Sequence, residues 1–295
     1  MDAPRDGACW AFIRGSFELF VYGWYPEPER WRVNLTFILF IAAIVGGLRE
    51  NIPGKKYWLI FAAAYPFIAA WLLLGGLGLE PVSTNKLGGI LLTLVVAVTG
   101  ISFSLPIGIA LALGRRSNLP ALRGVCVIFI EFIRGVPLIT LLFVASTMLT
   151  YFLPPGSTFD LLMRVLIMVT LFASAYIAEV VRGGLQGLST GQYEAADSLG
   201  LSYWKAHRLI ILPQALKISI PGIVNTFIGS YKDSVLVLII GMMDILGLGR
   251  ARLNDPDWLG LAPELYIFIS LFFFISCFSM SRYSLSLEKK LHTGH

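Results

Sequence analysis

The stretch EAADSLGLSYWKAHRLIILPQAL, residues 194–216, places an acid, several bases and a histidine between two long apolar runs. Its local pattern is readable. Ser189 followed three residues later by Gln192 fits a capping box that opens a helix through YEAADSL. Gly200 stands where a left-handed glycine ends such a helix. Ser202 suits the cap of a second short helix through YWKAHRLI, and Pro213 suits the first turn of the next, which becomes a membrane span. The expected order is helix, glycine turn, helix, proline entry. Ala195, Ala196 and Gly200 are small and permit close backbone approach. Tyr193, Leu199, Leu201, Tyr203 and Trp204 offer the aromatic and apolar anchors of a contact hot spot, and Glu194 can pair with a base. Two readings stand: a docking surface for another protein, or amphipathic helices lying on lipid. His207 is expected in solvent or against a partner.

The surroundings are those of a membrane protein. Of 295 residues, 56% are hydrophobic and 14% charged, whereas soluble domains average roughly 45–50% apolar and roughly 25% charged. Mean hydropathy is +0.75. Seven spans are expected, at about 33–48, 57–78, 88–113, 125–152, 161–182, 216–243 and 264–286, each near the roughly 20 residues a bilayer needs. Continuous apolar runs of this length are helical, because a barrel strand would alternate over about 10 residues.

The bases orient the chain. Arg49, Lys55 and Lys56, then Arg115, Arg116 and Arg123, then Arg182, Lys205, Arg208 and Lys217, then Arg282, Lys289 and Lys290 mark one side as cytoplasmic. Arg250 and Arg252 lie in an external loop, accompanied by Asp255, Asp257 and Glu264. The net charge of +5 thus reads as a topology signal and not as a nucleic-acid surface. An odd span count with the tail inside puts the N-terminus outside. That position is expected if another span precedes this sequence or if one early span is misread. The first 30 residues lack the unbroken apolar core of a cleavable signal. Cys9, Cys126 and Cys277 are far apart and show no metal spacing.

Ionisable residues within spans are costly and are kept for pairing or function. Glu131 and Arg134 share a helix face at a spacing of three, and Glu179 and Arg182 repeat it. Each set reads either as a self-paired ion or as a gate that breaks on opening. Lys232 and Asp233 lie near the middle of the 216–243 run. Adjacent residues point about 100° apart on a helix, so each needs a partner elsewhere. A zwitterionic substrate or other spans could supply it. Asn225, Thr226 and Ser230 could bond across helices or line a path, and Pro221-Gly222 suits a bend. No histidine lies in a span, so no nucleophile–base set can be assembled. No G-x-x-x-x-G-K-[ST] is present, so this chain does not hydrolyse ATP by the P-loop route.

The spacing Glu194-Ala195-Ala196, Gly200, Ile210-x-Leu212-Pro213 matches the "EAA" signature of ABC-importer permeases at every fixed position. EFIRGVPL (131–138), AYIAEVVRGGLQGLSTGQ (175–192), YKDSVLVLIIG (231–241) and SRYSLSLEKKL (281–291) narrow the resemblance to the polar amino acid branch, within it to subunits of broad-specificity L-amino-acid importers. It covers about 85–291 strongly and the front weakly. Ser234 and Val235 depart from the commoner Thr and Ser. Extended members usually carry another span before a region like GACWAF.

The resemblance implies an all-α type I ABC-importer permease fold, about seven transmembrane helices with a five-helix core. Residues 1–84 would form an external segment and two accessory spans, and 85–291 the permease core. Within the core, 187–216 would be the coupling loop, meeting an ATPase dimer through Glu194, Ala195, Ala196, Gly200, Leu212 and Pro213. ATP and Mg would belong to that dimer, with no cofactor or metal on this chain. The other implied partners are a second, related permease, a periplasmic amino-acid-binding protein and membrane lipid. The location would be the bacterial inner membrane. Candidate path or gate residues are Lys232, Asp233, Glu131, Arg134, Glu179 and Arg182. A self-contained ion-coupled transporter or channel is the alternative. A membrane enzyme comes last, for want of any clustered catalytic set.

Overall fold

A computed structural model describes residues 9–49, 52–152, 154 and 159–292. Two short helices come first, α1 (Ala11–Gly15) and α2 (Phe17–Tyr22). A helical hairpin follows, α3 (Arg30–Leu48) and α4 (Lys55–Leu74). The remaining helices are α5 (Gly89–Arg115), α6 (Pro120–Gly135), α7 (Leu138–Phe143), α8 (Leu149–Phe152), α9 (Leu161–Gln186), α10 (Thr190–Ser198), α11 (Tyr203–Ala206), α12 (Leu212–Asp233), α13 (Ile245–Arg252) and α14 (Ala262–His292). No strand is formed among the described residues. The loop read at 153–160 lies largely outside them, as do Glu50, Asn51 and His295.

Six helices are long and apolar enough to cross a membrane, and the α6–α7 pair makes a seventh if counted as one span. The expected span at 125–152 is therefore not straight. It breaks by 103° between Gly135 and Leu138. Pro137 excludes the helical region for the residue before it, and Val136 is extended at φ −112, ψ 133. Past the break, Val144–Met148 winds as a π-turn, and Arg164 donates to its Ala145 and Ser146 carbonyls at 3.3 and 2.6 Å.

The core is α5 against α9, with α12 packed against both. Small residues let these backbones meet, as membrane packing requires. A Cβ at Gly108 would sit 2.5 Å from Ile177 Cγ2, and one at Gly222 2.7 Å from Val180 Cγ1. At one end of the bundle, buried Phe12 and Phe20 pack with Ile245, Leu261 and Leu265. At the opposite end the basic termini gather. Lys55 Nζ donates to the Gly46, Gly47 and Arg49 carbonyls that end α3, and Tyr283 of α14 donates to Leu48 O at 3.3 Å.

Candidate functional site: the coupling loop and its ion cluster

Helix α10 ends in a Schellman turn. Gly200 takes φ +68, Leu201 N donates to Ala196 O at 3.2 Å, and Gly200 N donates to Asp197 O at 2.9 Å. The glycine turn expected from sequence is in place. The capping box is not. Ser189 starts the helix without a side-chain bond, and the Gln192 Oε1 that would close the box accepts from Gln214 Nε2 at 3.0 Å. That bond closes the loop upon itself.

Pro213 lies in the first turn of α12, as expected, but no break precedes it. Helix α11 runs through a π-turn, His207–Ile211, straight into α12, so the helical span begins at Tyr203 and not near 216. Pro213 cannot donate to Leu209 O, and the π-turn takes up the misfit. Gln214 Nε2 bonds the neighbouring Ile210 O at 3.1 Å.

Exposure divides the loop residues. Glu194, Ala195, Gly200 and Pro213 are exposed and Leu212 is half-buried, whereas Ala196 is 1% exposed and packs inward. Leu199 and Trp204 stand out at 73% and 72%, flanking the turn with Tyr203. Tyr193 is no free anchor. Its hydroxyl donates to Leu185 O at 3.0 Å, and Arg116 donates to that hydroxyl at 3.0 Å. His207 is buried rather than solvated: its ring lies 4.0 Å from that of Tyr203, and Nδ1 is 2.9 Å from Tyr203 O. The loop is thus a rigid knob, bolted through Tyr193 and Arg116 to the ends of α5 and α9.

Directly beside it lies an ion cluster on three helices. Glu179 Oε1 accepts from Arg115 at 2.6 Å, and Oε2 accepts from Arg182 Nε and Nη2 at 3.0 and 2.8 Å. Arg134 is 3.6 Å from the same oxygen and lies over the Tyr176 ring. The Glu179–Arg182 pair matches its spacing. The Glu131–Arg134 pair does not form, because the α6 face that carries both meets α5 and α9. Glu131 goes to Arg115 at 2.8 Å, and Arg134 goes to Glu179. Arg115 and Arg116 were read only as topology signals. Their roles arise from contacts 64 and 77 residues distant in sequence, which no local spacing reveals.

Lys232 is exposed and Asp233 half-buried. They sit where α12 passes into a 3-10 segment, Ser234–Ile240. Neither side chain forms an ion pair or hydrogen bond among the described residues. A mid-membrane change of helix type is a common hinge device.

Residues 104–293 match the model of the "Binding-protein-dependent transport system inner membrane component" family. The chain belongs to this family. It is a permease subunit of an ABC transporter and not an enzyme. It is 52% identical over 295 residues to the inner membrane amino-acid ABC transporter permease YhdY of Escherichia coli, covering 99% of this chain and 80% of that one. It is 45% identical to BztC of Rhodobacter capsulatus, a glutamate/glutamine/aspartate/asparagine transport system permease, over 98% of this permease and 80% of BztC. A crystal structure described as an amino acid ABC transporter with histidines matches at TM-score 0.60 and 29% identity, over 68% of this permease and 92% of that chain. The fold is the type I importer permease fold.

Proposed function

We propose that this permease moves L-amino acids into the cell across the bacterial inner membrane. A separate ATPase dimer would drive it and a second, related permease would stand beside it. The observation that carries the mechanism is the exposed Leu199–Gly200–Trp204 turn, held rigidly to the bundle by Tyr193 and Arg116. A turn tethered to the helix ends in this way passes on the movement of whatever grips it. ATP and Mg act on the partner; this chain is the bistable element whose two states that partner distinguishes. The amino acid class is supported by the names of the relatives. A periplasmic amino-acid-binding protein would deliver the substrate. Unpaired Lys232 and Asp233, at a change of helix type, offer an ammonium and a carboxylate to a zwitterion. The 131/134/179/182 cluster, at the loop side of the bundle, suits a cytoplasmic gate.

The test is purification from native membranes in mild detergent, with partners identified by mass spectrometry, then reconstitution and uptake of labelled amino acids. Recovery of an ATPase and a second permease, with uptake only when ATP and binding protein are present, is expected. Recovery of the chain alone, transporting in vesicles without ATP, would overturn the proposal in favour of an ion-coupled carrier.

A further inference from the structure

Arg115, Arg116, Arg123 and Arg182 surround a cleft of about 920 Å³ where the α5–α6 loop meets the end of α9. The cleft and the adjoining ion cluster hold five arginines, counting Arg134, against the two glutamates Glu131 and Glu179. The positive excess is three. Arg116 bonds only neutral oxygens, Leu185 O and Tyr193 Oη. The guanidinium of Arg123 has no hydrogen-bond or ion-pair partner among the described residues. Helix α6 begins at the cleft without a side-chain cap, so its first N–H groups add to the positive potential. These features call for an anion.

The outer face of α6 indicates which anion. Leu122, Val125, Ile128 and Phe132 recur at helical spacing and are all exposed. This apolar stripe runs from the cleft along the helix toward the bilayer interior. The cleft itself lies at the ends of two spans, Gly89–Arg115 and Leu161–Gln186. Arginine matches phosphate geometry, and basic clefts between spans on the cytoplasmic side select anionic headgroups. A soluble anion would fill the cleft and leave the stripe unused. We propose that this cleft binds the phosphate of an anionic phospholipid from the cytoplasmic leaflet, with its acyl chains along α6.

The test is native mass spectrometry of the intact detergent-purified assembly, with phosphatidylglycerol or phosphatidylcholine added. Phosphatidylglycerol should be retained and phosphatidylcholine not. Arg123→Ala should weaken retention about five-fold and Arg123→Glu about thirty-fold, at the worth of one and two charges near the surface. Lys56→Glu, an exposed base outside both the cleft and the 187–216 loop, should leave retention unchanged and serves as the control for folding and assembly. Equal retention of the two lipids, or full retention in both Arg123 variants, would overturn the proposal. Displacement of the lipid by millimolar inorganic phosphate would reassign the cleft to a soluble anion. Loss of ATPase subunits from the Arg123 variants, with lipid undiminished, would reassign it to a protein partner.

Discussion

At the scale of single residues, Glu179 and Asp244 are the most exposed to test. Glu179 holds arginines from three helices and its side chain is 15% exposed, while Glu131 is 54% exposed and holds one. Removing a buried acid strands its partners, whereas an exposed ion pair is worth little. Glu179→Gln should therefore cost about 2–3 kcal/mol and Glu131→Gln less than about 1 kcal/mol, read as thermal unfolding in detergent. Equal losses would remove Glu179 from the centre of the cluster. Asp244 caps α13 outside the spans. Its Oδ1 accepts from Gly247 N at 2.8 Å, and its Oδ2 has no hydrogen-bond partner among the described residues. Burial pushes its carboxyl from 3.8 up to about 6, partly offset by the backbone N–H groups. Below pH about 4 it is protonated whether folded or not. As pH rises to about 6 the unfolded chain ionises first, so stability falls, and above pH 6 the loss is complete at roughly 3 kcal/mol. Asp244→Asn keeps a capping oxygen and should abolish that slope when unfolding midpoints are compared from pH 4 to 7. A parallel pH profile in the variant would show that another group titrates. The Glu179–Arg182 contact was legible from a spacing of three residues. Asp244 was not, because its burial depends on Gly89 and Thr93, whose contacts with Met243 and Ile245 close across more than 150 residues.

At the scale of elements, the turn at Gly200 separates backbone strain from bulk. A Cβ there meets nothing within 4 Å inside this chain, so any side chain costs only the left-handed φ, about 1–2 kcal/mol. Gly200→Ala and Gly200→Leu should thus lose similar stability. Transport should separate them. Alanine should retain a measurable part of uptake and leucine should abolish it at equal membrane abundance, because the leucine occupies the partner's seat. Equal uptake in the two variants would mean that no partner docks at this turn. The glycine turn was readable because its conformation is intrinsic to glycine. The capping box misled because Gln192 had a better offer from Gln214, on a helix that local pattern does not bring into view. Pro213 does fall in the first turn of α12, but the break expected ahead of it is absent, because tertiary packing sustains a π-turn that propensity alone would break.

At the scale of the whole molecule, span number was legible because hydropathy acts locally, while the 103° break turned a single expected span into two segments. The proposed division at 84/85 is a different matter, because the N-terminal part is not merely accessory. Phe12 and Phe20 are sealed under Ile245 and Leu265, and Val33 and Leu73 share one core with Leu91, Leu92 and Leu162. Between the parts, Gly75, Gly76, Leu77 and Gly78 all adopt positive φ, and Leu77 is 95% exposed. Both flanks of this loop are pinned. Val82 N donates to Leu74 O at 2.9 Å, and Arg32 donates to Glu80 O at 2.7 Å. A protease site introduced at Leu77 should therefore be cut readily. The two pieces should still co-elute in mild detergent, since the contacts that join them lie in the buried cores and not in the tether. Separation of the pieces after cutting would mean that the covalent link, and not packing, holds residues 1–84 to the permease core.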